Sequence, residues 1–168
     1  KRQRAFLAME RATKLSADLG ALLAKHEHVL TTAESCTGGG VATAITDISG
    51  SSAWLDRAFV TYSNQAKMEM LGVQTSTLEA HGAVSEPVVI EMVQGAIRNS
   101  NATIGVSISG IAGPGGGSEE KPVGTVCFAF ADNQSWQQVE TMHFTGDRAQ
   151  VRKKAVEHAL TQLYQHLL

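Results

Sequence analysis

The stretch TTAESCTGGG, Thr31 to Gly40, sets Glu34, Ser35, Cys36 and Thr37 directly ahead of three glycines. Hydroxyls displayed before a glycine turn suit a phosphate cradle, a nucleophile turn, or a tight corner between a strand and a helix. The lysine-bearing phosphate loop, the GxGxxG dinucleotide fingerprint and the GxSxG nucleophile elbow are all absent, since no lysine follows the glycines and Ser35 stands between Glu34 and Cys36. What survives is general: glycines open a helix whose first amides can hold an anion. Glycine at a helix start costs up to about 1 kcal/mol relative to alanine, which tilts the reading from a bare corner toward a ligand.

A second group supplies a candidate base. Lys67 follows Tyr62 by five residues, amid Ala66, Met68, Met70 and Leu71. A lysine in an early helical turn is opposed by the helix dipole, and partial burial pushes the same way. A neutral amine placed so could deprotonate a serine hydroxyl, although a surface lysine is the commoner fate. Tyr62 by itself reads as a core tyrosine with a satisfied hydroxyl. The third group is SISGIAGPGGGSEEKPVG, where Ser107 and Ser109 precede a permissive loop through Gly110 and Gly113 and a solvated tip at Glu119–Lys121. Arg148, in TGDR, offers either a phosphate-binding guanidinium or a helix-face ion pair. His81 and His143 lack companion spacing and read as structural. The compact HEH at His26–His28 reads as a helix end rather than a metal motif, which needs its histidines one turn apart.

These groups must be carried by elements that bring them together. Apolar residues Ala8, Ala12, Leu15, Leu19, Leu22 and Leu23 recur at helical spacing over 8–26. His28–Thr32 reads as a short strand, Gly40–Ile48 as a buried helix, Gly50–Ser52 as a turn and Arg57–Tyr62 as a strand. Ser63 and Asn64 can cap a helix containing Lys67. A short helix over Ser76–His81 stops at Gly82, and Ser85 with Pro87 opens another through about Asn99. Thr103–Ser109 alternates into a strand, while Thr125–Ala131 and Trp136–Phe144 suggest a hairpin across Asp132–Ser135. Asp147 caps a final helix to about Leu167, with Val151, Ala155, Ala159, Leu160 and Leu163 facing inward. Helices alternating with strands, then paired strands, then one closing helix predict a single three-layer α/β/α domain with a mixed sheet. In such sheets ligands bind at the carboxyl ends of strands, where Thr32–Gly39, Thr61–Lys67 and Ser107–Gly117 all fall.

The bulk numbers agree with this. A chain of 168 residues, 43% apolar and 18% charged, suits one domain with a substantial core. A net charge of -2 offers no global drive toward nucleic acid or an anionic membrane. Cys36 and Cys127 form no disulfide framework, and with no signal peptide evident they point to a reducing cytoplasm. No apolar run reaches the length of a membrane span. The domain is taken as residues 1–168, with 1–8, ahead of Met9, read as a disordered or appended extension.

Together the segments TAESCTGG, GSSAWLDRAFVTYSNQAK, HGAVSEPV, SISGIAGPGGGSEEKPVGTV and FTGDR, in this order, closely resemble the CinA C-terminal domain family. The likeness runs from about Thr31 to the end. It implies a nicotinamide-nucleotide amidase: hydrolysis of the carboxamide of nicotinamide mononucleotide to nicotinate mononucleotide and ammonia, within pyridine-nucleotide salvage. It also implies the α/β/α fold and a homodimer. On this resemblance Ser35 is the expected nucleophile, Lys67 its base, and Tyr62 a residue that orients Lys67 or relays a proton. Ser52, in the GSSAW turn, is the rival serine. Amides around Cys36, Thr37, Gly38 and Gly39 are expected to hold the oxyanion. Arg148 and the loop at Gly113 would hold the phosphate, with Ser109 and Gly110 nearer the base or ribose. The scheme calls for no metal and no cofactor. The alternative is a non-catalytic nucleotide-binding or competence-associated module. Against it stand the intact Ser35, Tyr62 and Lys67, and against direct nucleic-acid binding the lack of a basic, aromatic-interleaved surface.

Overall fold

A buried strand, β1 (Leu30–Glu34), lies at the centre of the chain's sheet, with no exposed residue along it. The computed structural model describes residues 1–168, excepting the side chains of residues 5–10. Five strands form one sheet in the order β2-β1-β3-β4-β5, where β2 is Leu55–Val60, β3 Ile104–Gly110, β4 Thr125–Asp132 and β5 Gln137–His143. β1 runs parallel to β2 and β3, whereas β3–β4 and β4–β5 are antiparallel, so the sheet is mixed as the element order predicts.

Helix α1 (Arg2–Lys25), α2 (Gly40–Thr46) and α6 (Arg148–Leu167) cover one face, and α3 (Asn64–Leu71), α4 (Thr75–His81) and α5 (Glu86–Arg98) gather on the other. The two faces differ in side-chain size because successive strand residues alternate sides. Leu30, Ile104, Val106, Ile108, Val126, Phe128 and Phe130 meet Leu19, Leu23, Leu160 and Leu163 on the first face. On the second, Ala33, Cys127, Ala129 and Ala131 meet Leu71, Val88, Val89, Met92 and Val93. Small residues there let α5 settle close to the sheet: a Cβ at Gly105 would lie 3.2 Å from both Thr31 and Val93. Gly95 of α5 in turn lies against α3, where a Cβ would come 1.9 Å from the Leu71 carbonyl oxygen.

The α3–α5 layer therefore sits tight against β1 and β3, and that places Lys67. The switch in strand order around β1, with β2 on one side and β3 on the other, opens a crevice at their carboxyl ends.

Most expected elements are present, with shifted ends. The first strand lies two residues later than His28–Thr32, because pairing starts where Leu30 faces Leu55 and Ile104 on either side. The second lies two residues earlier than Arg57–Tyr62, which releases Thr61 and Tyr62 to turn into the crevice. Ser63 caps α3 by accepting from the Ala66 amide at 3.0 Å. Asp147 caps α6 in a reciprocal box with Gln150. Ser85 stands at the N-cap position of α5, yet its Oγ donates to the Gly82 carbonyl at 2.7 Å instead of capping. The five inward residues named for α6 are all buried. The first helix, expected over 8–26, begins six residues earlier, at Arg2, so the backbone of the expected extension over residues 1–8 is helical from residue 2, while the side chains of residues 5–8 lie outside the described residues.

Candidate active site

Ser35 follows β1 and is tied on both flanks: its amide donates to the Ile108 carbonyl at 2.9 Å, and the Thr61 amide donates to the Glu34 carbonyl at 2.9 Å. Backbone pairing thus holds the serine at the end of the sheet rather than on a free loop. The chain then turns back through Gly38 (φ 61°) and Gly39 (φ 97°), a conformation that favours glycine. That turn lets the fully buried Glu34 carboxylate reach the start of α2. It accepts from the Val41 amide at 2.9 Å, the Ala42 amide at 3.2 Å and Thr37 Oγ1 at 2.6 Å. The anion at this helix start is therefore the protein's own.

Lys67 reaches the same point from α3. Its side chain is 1% exposed, and Nζ lies 3.0 Å from Ser35 Oγ, 2.8 Å from the Thr61 carbonyl oxygen and 3.4 Å from that of Tyr62. Among the described residues no carboxylate pairs with it. Burial holds its pKa below the ordinary lysine value. A neutral amine suits this setting: its two N–H groups meet two carbonyls, and its lone pair remains for the serine proton. Cys36, beside the serine, is no rival nucleophile, because burial pushes its thiol up to about 11 and keeps it protonated near neutral pH.

Around this pair lies a cavity of about 250 Å³, whose walls include Cys36, Tyr62, Asn64, Val84, Ser109 and Arg148. Ser109 Oγ lines this cavity and meets no protein partner among the described residues, so its hydroxyl is available to a ligand. Gly110 has no room for a side chain, since a Cβ would lie 2.7 Å from Val126 and 3.1 Å from Cys36 Sγ. At the rim, Arg148 Nη2 donates to Tyr62 Oη at 3.1 Å and Nη1 to the Gly113 carbonyl at 2.9 Å. Neither alternative of a buried tyrosine nor a helix-face ion pair holds: Tyr62 is 63% exposed, and Arg148 joins no carboxylate among the described residues.

Comparison with known proteins places this arrangement. The profile of the CinA C-terminal domain matches residues 12–167. This chain belongs to the CinA C-terminal domain family. Over 155 residues it is 57% identical to nicotinamide-nucleotide amidohydrolase PncC of Escherichia coli K12, covering 92% of this chain and 94% of that one. It is 50% identical to a putative competence-damage inducible protein of Symbiobacterium thermophilum, covering 89% of this chain but 37% of that longer protein. Among solved structures, competence/damage inducible protein CihA from Agrobacterium tumefaciens superposes with a TM-score of 0.89 at 42% identity, over 92% and 94% of the two chains.

Within this CinA C-terminal domain, Ser35, Cys36, Tyr62, Lys67, Ser109, Gly110 and Arg148 share one cavity. Thr37, Gly38, Gly39 and Gly113 are not among the lining residues; the Thr37 hydroxyl turns to Glu34 and the Gly113 carbonyl accepts from Arg148. Ser52 is not brought there. It is exposed in the short 3-10 turn Ser51–Ala53 that leads into β2, at the amino edge of a strand parallel to β1. His26 and His28 bond the Leu167 carbonyl oxygen and Thr103 Oγ1, tying helix ends down, and no metal-holding cluster occurs among the described residues. Sequence reasoning missed the Thr61 carbonyl, the Ala83–Val84 wall, the anchoring role of Glu34, and Arg152. A buried carboxylate one residue before a hydroxyl and a glycine turn was the one signal available for Glu34. No helix is long and apolar enough to cross a membrane.

Proposed function

We propose that this protein is a nicotinamide-nucleotide amidohydrolase that converts nicotinamide mononucleotide to nicotinate mononucleotide and ammonia. The observation that carries the reading is the buried Lys67 amine 3.0 Å from Ser35 Oγ at the wall of the cavity. Support for the substrate comes from the PncC relative, whose name states that activity.

Lys67 takes the Ser35 proton as Oγ attacks the carboxamide carbon, and the amides of Cys36 and Thr37 receive the developing oxyanion. Collapse expels ammonia, with Lys67 returning the proton to the leaving nitrogen, and leaves a nicotinate ester on Ser35. Water, deprotonated by Lys67, then hydrolyses that ester and restores the hydroxyl. Arg148 meets the substrate phosphate at the rim, where its guanidinium pairs with no carboxylate among the described residues, and Tyr62 holds Arg148 in place. Ser109 contributes a hydroxyl to the ribose or the ring side. The reaction belongs to pyridine-nucleotide salvage in a reducing cytoplasm, which the two free cysteines suit, in a homodimer.

Ammonia release from nicotinamide mononucleotide, followed in EDTA, tests this directly. Ser35→Ala is expected to lower kcat at least about a thousandfold and Ser52→Ala to stay within about twofold. Tight binding of either mononucleotide without ammonia from the unaltered protein replaces the enzyme with a binding module.

A further inference from the structure

The carbonyls of Ser35, Cys36 and Thr37 are all occupied, whereas the N–H groups of Cys36 and Thr37 are not. The Ser35 carbonyl accepts from the Gly38 amide at 3.0 Å. The Cys36 carbonyl accepts from Arg152 Nε at 3.0 Å, and the Thr37 carbonyl from Arg152 Nη2 at 3.4 Å and the Gly40 amide at 3.0 Å. The amides of Cys36 and Thr37 donate to no protein group among the described residues. A trans peptide points its carbonyl and N–H in opposite directions, so a guanidinium gripping the Cys36 carbonyl turns the Thr37 N–H away from α6. A cation at the carbonyl end also polarises the peptide and strengthens its N–H as a donor.

Arg152 is committed to this task. It forms no ion pair among the described residues, although arginine forks ordinarily match carboxylates. It reaches from the second turn of α6 across more than a hundred residues of sequence to the nucleophile turn. It does not line the cavity, so it reaches the substrate only through the turn. The fit is close: a Cβ at Gly38 would lie 3.3 Å from Arg152 Nη2. Glu34 holds the far side of the turn through Thr37 Oγ1 and the first amides of α2. The turn is thus clamped between a carboxylate under the sheet's end and a guanidinium on the closing helix.

We infer that Arg152 is a positioning residue for the oxyanion site: its grip on the Cys36 carbonyl aims and polarises the Thr37 N–H toward negative charge at Ser35, and its longer contact with the Thr37 carbonyl holds the same turn. The inference rests on the amidohydrolase reading of the Ser35 site. Its kinetic signature follows from where it acts. An oxyanion exists only along the reaction path, so losing the grip lowers kcat and leaves substrate binding nearly intact.

The test measures kcat and KM for nicotinamide mononucleotide, and Kd for nicotinate mononucleotide, in Arg152→Ala, Arg152→Lys and Ser35→Ala. For Arg152→Ala we expect kcat to fall at least about tenfold, less than loss of a direct donor, with KM and Kd within about threefold. Added guanidinium ion restores part of that rate, which a general loss of packing would not allow. Arg152→Lys keeps the charge but not the fork, and recovers only a fraction. It carries the test if Arg152→Ala does not fold. An unchanged kcat in both arginine variants overturns the inference. So does a rise in KM and Kd at constant kcat, which would make Arg152 a phosphate contact. Full activity in Ser35→Ala overturns instead the reading on which the inference depends.

Discussion

Lys67 Nζ and Ser35 Oγ lie 3.0 Å apart in a pocket where the lysine is 1% exposed and, among the described residues, pairs with no carboxylate. The pair joins an element after β1 to one on α3, and it can work only if the amine is neutral when the serine is attacked or attacks. On the proposed mechanism, this one relationship would set the pH behaviour of the enzyme and a cost to its fold.

The catalytic consequence concerns the rising limb of the pH profile. Burial lowers the Lys67 pKa, so the active neutral fraction grows as pH rises through that lowered value rather than through the ordinary lysine range near 10.5. kcat/KM is expected to climb and reach its plateau below that range. Lys67→Arg, which stays protonated, should lose activity at least about a thousandfold at every pH tested, because it offers no lone pair. A profile that keeps its rising limb in Lys67→Arg would move the base elsewhere.

The same burial links stability to pH. In the unfolded chain Lys67 holds its proton up to about pH 10.4, whereas in the folded chain it loses it earlier. Between those two values the unfolded state binds more protons, so this residue makes stability rise with pH, by at most about 1.4 kcal/mol per unit. Lys67→Met removes that contribution. Urea titrations from pH 7 to pH 10 should show a flatter dependence in the variant, and an equal slope in both proteins refutes the linkage.

Arg148 should divide the kinetic constants in the opposite way from Arg152. It stands at the rim, bonded to Tyr62 Oη and the Gly113 carbonyl, and joins no carboxylate among the described residues. Arg148→Ala is expected to raise KM at least about tenfold with kcat within about threefold, as loss of a phosphate contact shared by ground and transition states requires. Removing the phosphate from the substrate should then cost the variant much less than it costs the unaltered enzyme.

Glu34 serves the fold and the turn together. Its buried carboxylate neutralises the start of α2 and accepts from Thr37 Oγ1. Glu34→Gln leaves one amide facing an N–H donor, at a cost of about 2 kcal/mol for hydrogen bonds to a charged group. For a chain of this size that lowers the melting temperature by about 4–8 °C. Calorimetry at pH 7 reads it, and a change below about 1 °C would mean that the carboxylate contributes nothing net.

Local chemistry was legible in the chain. Ser63 ahead of Asn64 and Asp147 ahead of Arg148 announce two helix starts, since their side chains satisfy amides a few residues away. The inward stripe of α6 from Val151 to Leu163 follows from helical periodicity and is buried throughout. The element order dictated a three-layer α/β/α domain, and the grouping of Ser35, Tyr62, Lys67 and Ser109 at strand ends followed from the rule that open sheets bind ligands there. What tertiary structure alone decided involves partners remote in sequence. Only the folded sheet separates Ser35, at the carboxyl end of β1, from Ser52, at the amino end of β2. Only the packing of α3 against α5 at the sheet's end buries Lys67 and lowers its pKa. Arg152 gripping the turn from the far end of the chain leaves no local pattern, because its partners are backbone groups whose direction exists only once the chain has folded; Glu34 lies near its partners in sequence, yet only the folded glycine turn brings them to its carboxylate.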